Sequence, residues 1–168
     1  MRAVGVLLAV AVALALQTTI ARFVVGGTTA IDLVLVVVVY VALTTGPVTG
    51  MFAGSAAGLV QDALSSGVIG VGGLAKSLVG FLAGMIGQQF IMTAVLPRFV
   101  MFMAATLLHA VVFMGLYMLL GLRTFSSPYA ATLSQAAGNA VVGMIAFTII
   151  EAFPGVIERR KLSRRSRR

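Results

Sequence analysis

Residues Gly46–Asp62 read GPVTGMFAGSAAGLVQD, with glycine at 46, 50, 54 and 58 and an aspartate at the next fourth position. In water, glycine weakens a helix by about 1 kcal/mol per residue relative to alanine. Four of them on one ridge suit a different solvent. In lipid a helix cannot unravel into water, and missing side chains let two backbones pack directly and gain dispersion contacts. The row of Gly46, Gly50, Gly54 and Gly58 therefore predicts a helix lying tightly against another inside a bilayer. An i, i+4 row drifts by about 40° per step on a helix of 3.6 residues per turn. Asp62 thus neighbours Gly58 but does not share a face with Gly46.

Composition points to the same solvent. Of 168 residues 60% are hydrophobic and 10% charged, and the mean hydropathy is +1.11. A soluble domain of this length cannot hide so much apolar surface. Cysteine is absent, which excludes disulfides, thiolate metal sites and cysteine nucleophiles. One histidine and four carboxylates argue against a multi-ligand zinc site, and no cofactor is expected.

Six segments are long enough, or nearly so, to cross a bilayer. They run over about Val4–Ala21, Ile31–Thr44, Val48–Leu64, Ile69–Ile91, Phe99–Leu120 and Pro128–Phe153, with Gly46–Pro47, Ser65–Gly67, Pro97 and Pro154–Gly155 as breaks. The start, Met1-Arg2 before an apolar run, has the outline of a secretory signal. That run extends to Ala21, however, and cleavage would leave an odd number of helices, so a retained first helix is expected. Backbone amides in lipid must be satisfied within their own segment, and nothing alternates like a barrel strand. The expectation is an all-α polytopic protein of six transmembrane helices, residues 1–156, followed by a basic tail, residues 157–168.

The formal net charge of +8 is concentrated in that tail, which holds Arg159, Arg160, Lys161, Arg164, Arg165, Arg167 and Arg168. With both termini inside, these join Arg2 and Arg98 on the cytoplasmic side, leaving Arg22 and Arg123 outside. The asymmetry predicts cytoplasmic N and C termini. Three readings of Arg159, Arg160, Lys161, Arg164 and Arg165 are a solvated topology flank, a contact with anionic lipid, and a contact with an acidic cytoplasmic protein. Nucleic acid is the least suitable partner for so short a tethered segment.

Charges within spans are expensive in lipid, about 2.5–3.5 kcal/mol each at mid-bilayer on insertion scales. Asp62, near the end of the third span, and Lys76, within the fourth, are expected to pair and staple those helices, or else to line a polar pocket. His109 and Asn139 are expected as interhelical hydrogen bonders. Asp32 and Glu151 read as interfacial, Asp32 at a helix N-terminus that favours a carboxylate. Gly80 and Gly84 form a second small-residue ridge on the fourth span. The glycine rows either pack the protein's own bundle or offer a face to a partner helix. No HExxH, GxSxG, P-loop or paired-carboxylate motif is present, so no enzyme is expected.

Several of these elements together resemble the MreD family of bacterial rod shape-determining membrane proteins. They are Asp32-Leu33 opening the second span, Gly50, Gly54, Gly58-Leu59 and Asp62 in the third, LVGFLAG from Leu78 to Gly84 in the fourth, and Asn139-Ala140 in the sixth. The family usually has proline before the first aspartate, where this chain has Ile31. The resemblance implies a non-catalytic scaffold of the elongasome in the bacterial inner membrane, supporting lateral peptidoglycan synthesis. Its implied partners are an MreC-like bitopic protein, MreB and the RodA–penicillin-binding-protein synthase, besides membrane lipids. The family is also similar in fold to the S-components of energy-coupling-factor vitamin transporters. That similarity implies an S-component-like bundle and an alternative role in binding a solute or lipid near Asp62 and Lys76.

Overall fold

The computed structural model describes residues 2–23, 31–65, 67–90, 94–122 and 129–165, with side chains for 4–19, 31–65, 67–90, 94–122 and 129–151. The described residues form six α-helices: α1 Arg2–Phe23, α2 Leu33–Thr45, α3 Pro47–Leu64, α4 Val71–Gln89, α5 Val95–Leu119 and α6 Tyr129–Arg165. Three stretches, Val71–Gln89, Val95–Leu119 and Tyr129–Glu151, are long and apolar enough to cross a membrane. Val4–Thr19 and Leu33–Thr45 are shorter apolar helices. The glycines, Gln61 and Asp62 of α3 dilute its hydropathy and keep it out of that set.

The central element is α2. Its sequence, LVLVVVVYVALTT, is rich in valine, which loses side-chain freedom in a helix, so packing rather than propensity holds it. Val34, Leu35, Val36, Val38, Val39, Val41 and Ala42 are all buried, and α2 touches each of the other five helices. On one flank Leu35, Val36 and Val39 join Val79, Phe102, Ala140 and Phe147 of α4, α5 and α6. On the other, Val34 and Val38 meet Ala13 and Leu14 of α1 and Ala57 of α3.

The turn from α2 into α3 is made by Gly46 at φ 102°, a left-handed region that favours glycine. Pro47 follows at the first helical position, where its missing N–H is not needed. The same logic corrects one boundary. Pro97 was expected to precede the fifth helix, yet α5 begins at Val95 and carries Pro97 in its first turn, where the first N–H groups have no helical partner. A second correction concerns the sixth helix, expected to end at Phe153. It runs through Pro154 and Gly155 to Arg165, because a proline inside a helix removes one hydrogen bond and can kink the helix without ending it.

The glycine row of α3 lies against α4 of the same chain. A Cβ on Gly58 would fall 2.6 Å from the Gly73 Cα, and one on Gly50 would fall 2.6 Å from the Gly80 carbonyl oxygen. Gly54 abuts the backbone of Lys76, and Gly84 abuts Pro47. Backbone therefore meets backbone along the whole hairpin. The reading in which this row receives a partner's helix is overturned, since α4 already occupies it.

Candidate functional site

Of the polar residues picked out in the sequence, Lys76, His109 and Asn139 gather around Asp32, the N-cap of α2. Asp32 caps that helix: its Oδ1 accepts from the Leu35 N–H at 2.9 Å. Its Oδ2 lies 2.9 Å from Lys76 Nζ. The Asp32 backbone N–H donates to Asn139 Oδ1 at 2.8 Å. Three helices, α2, α4 and α6, thus meet at one residue.

Two more groups extend the cluster through α5. Lys76 Nζ is 3.3 Å from His109 Nε2. Asn139 donates through Nδ2 to Thr106 Oγ1 at 3.1 Å, and Thr106 donates in turn to the Phe102 carbonyl at 2.8 Å. Lys76 is 3% exposed and Asn139 0%, so this is a fully internal network. Its charges cancel as a pair, and its polar atoms find partners within the bundle, as burial in lipid demands.

The expected pair between Asp62 and Lys76 does not form. Asp62 turns instead to the start of α4, where its Oδ2 accepts from the N–H groups of Gly70 at 2.9 Å, Gly72 at 2.9 Å and Gly73 at 3.2 Å. The beginning of a helix presents unpartnered N–H groups and a partial positive charge, and this carboxylate satisfies both. Gly70, at φ 104°, makes the turn, and any side chain at Gly72 would strike the carboxylate. Lys76 is then left for Asp32, which the sequence had suggested to be interfacial. The available signal was length. Thirteen residues of α2 cover only about 20 Å of a hydrocarbon core about 30 Å thick, so one end of α2 must lie inside.

A second ion pair joins α5 to α6. Arg98 forks onto Glu151, with Nη1 to Oε2 at 2.7 Å and Nη2 to Oε1 at 2.8 Å. Its guanidinium also lies 4.0 Å from the centre of the Phe147 ring, whose edge meets Tyr40 at 5.0 Å. Sequence reasoning counted Arg98 only as a topology charge. Bidentate geometry and ring stacking are what arginine, unlike lysine, supplies.

On the other side of the bundle, an aromatic column climbs α5 from the network. His109 stacks on Phe113 at 5.7 Å, and Phe113 meets Tyr117 at 4.8 Å. The Tyr117 hydroxyl accepts from the Val68 N–H at 3.2 Å, fastening the α3–α4 turn to α5.

Each described carboxylate, Asp32, Asp62 and Glu151, is engaged within the chain. Among the described residues no three His, Cys, Asp or Glu side chains gather as metal ligands. Side chains at Arg159, Arg160, Lys161, Arg164 and Arg165, and at the topology charges Arg2, Arg22 and Arg123, lie outside the described residues. Among the described residues, the clefts at Phe52, at Phe81 and at Tyr40 are lined by side chains other than Asp32, Lys76 and His109.

Apolar helices long enough to cross a membrane, closed around a buried ion pair, define a helical membrane protein. The chain belongs to the MreD family: the family model for rod shape-determining protein MreD matches residues 1–154. Membership associates it with the machinery that determines rod shape. No curated protein and no solved structure matches the chain.

Proposed function

We propose that this chain is a non-catalytic membrane scaffold of the elongasome, crossing the inner membrane six times with both termini in the cytoplasm. It binds an MreC-like bitopic protein and, through that assembly, supports MreB and the RodA–penicillin-binding-protein synthase in lateral peptidoglycan synthesis. The family match over residues 1–154 carries this reading. Closure of the polar interior supports the absence of catalysis: Lys76, Asp32 and His109 face one another inside the bundle. The same closure speaks against a solute-binding role like that of a vitamin transporter's S-component.

With the glycine row of α3 covered by α4, the partner contact falls to side chains that remain exposed. One such surface is the back of the α3–α4 hairpin, where Met51, Leu74, Ser77, Leu78 and Phe81 frame a hollow of about 250 Å³. A hollow of that size takes a large side chain of a passing helix.

Depletion in a rod-shaped host tests the function. Cells are expected to round up, and rescue by the wild-type chain is expected to restore rods. Unchanged shape on depletion would sink the proposal, and a vitamin requirement would favour the transporter reading.

A further inference from the structure

Among the described residues α1 packs on α2 and α3 but does not touch α6. It is held mainly through one half, where Ala13 and Leu14 are buried and Gln17 Oε1 accepts from the Val34 N–H at 3.1 Å. Towards its N-terminus it stands away from α6. The space between them is a cleft of about 750 Å³, with Gly5 and Ala9 of α1 on one wall and Ala146 and Ile150 of α6 on the other. Its floor is α2, including Tyr40 and Thr44. A Cβ placed on Gly5 would meet nothing within 4 Å.

We infer that this cleft is a lipid seat, taking one acyl chain of an aminophospholipid whose ammonium group faces Glu151. The lining is overwhelmingly apolar, and the cleft lies between helices of a membrane protein, so the guest must be apolar too. Size selects among apolar guests. A helix is about 10–12 Å across, so this volume equals roughly five residues of one; it lies within the range of about 300–1,000 Å³ typical of small-molecule sites. A hydrocarbon chain fits where a transmembrane helix does not.

The residues that adjoin the cleft next to Tyr40 and Ile150 supply the headgroup chemistry. Tyr40 meets the edge of Phe147, Arg98 lies on the same ring, and Arg98 forks onto Glu151. The arginine side chain is 9% exposed and the glutamate side chain 52%. The accessible member of the pair is therefore the carboxylate, whose oxygens accept from Arg98 and keep further lone pairs for an ammonium donor, where a headgroup whose only charge is negative has no charged donor to offer. The leaflet, the inner one, rests on the topology proposed above; the cleft and its guest do not.

Native mass spectrometry of the full chain, extracted and supplied with phosphatidylethanolamine or phosphatidylglycerol, tests the assignment. Wild type is expected to retain one phosphatidylethanolamine in preference to phosphatidylglycerol. Gly5→Phe, which enters open space and leaves the packing alone, is expected to reduce the retained lipid at least tenfold, and Ala146→Phe to do the same from the opposite wall. Unchanged retention in Gly5→Phe, with an unchanged thermal midpoint, would overturn the seat. Equal or stronger retention of phosphatidylglycerol would overturn the headgroup. A photo-crosslinker at Ala9 that captures a protein helix instead of lipid would overturn the guest. None of these outcomes turns on cell shape, so the seat and the scaffold fail separately.

Discussion

Asp32 Oδ2 lies 2.9 Å from Lys76 Nζ, joining the residue that starts α2 to a lysine more than a turn inside α4. Both side chains are nearly inaccessible, at 7% and 4% exposure. Removing one partner of such a pair strands the other charge, typically at about 3–5 kcal/mol, whereas replacing both by apolar groups is often neutral. Lys76→Met and Asp32→Leu are each expected to lower the thermal midpoint sharply in detergent. The double variant is expected to recover much of the loss, less the Asp32 cap on Leu35. A strictly additive double variant would show that the pair is not coupled.

The Asp62 carboxylate gathers three N–H groups at the start of α4. Hydrogen bonds to a charged group contribute about 1.5–3 kcal/mol each at most, and they are not additive. Asp62→Ala is expected to destabilise the hairpin by about 2 kcal/mol or more. Hydrogen exchange should locate the effect, with faster exchange at Gly70, Gly72 and Gly73 while the amides of α6 stay protected.

Because Gly54 sits against the backbone of Lys76, even a methyl group there must push two helices apart. Gly54→Ala is expected to cost about 1–3 kcal/mol, the usual penalty of overpacking, and Gly54→Leu more. Gly5→Ala, on the open side of α1, is expected to be neutral or slightly stabilising. Chemical unfolding of the two variants side by side checks the contrast.

Tyr117→Phe deletes only the hydroxyl that receives the Val68 N–H. A loss of about 1 kcal/mol or less is expected, with faster exchange at Val68 and no change at Asp32. Arg98→Lys should be worse than charge conservation suggests, since lysine can reproduce neither the fork onto Glu151 nor the stacking on Phe147.

Much of this architecture was legible in the sequence. The glycine spacing announced a close helix–helix contact, and hydropathy gave the helices. His109 and Asn139 were identified as internal hydrogen bonders. The identity of their partners was not legible, because pairing depends on depth. Asp62 and Lys76 are near in sequence, but the bare N–H groups of α4 lie nearer to the carboxylate than the ammonium does. Asp32 is remote from Lys76 in sequence and meets it only because α2 begins inside the bundle. The glycine row could not by itself say whose helix would fill it. Arg98 and Glu151 passed unpaired because nothing in their spacing reveals that α5 and α6 run side by side there.

The shortness of α2 has a consequence for how the protein is built. The acid at its start leaves the ribosome well before the lysine that neutralises it, and in hydrocarbon it would have no counter-charge during the interval. The second, third and fourth helices should therefore enter the bilayer as one cooperative event instead of three successive ones. A nascent chain stopped after Leu64 is expected to remain at the translocon, and one extended past Gln89 to be released.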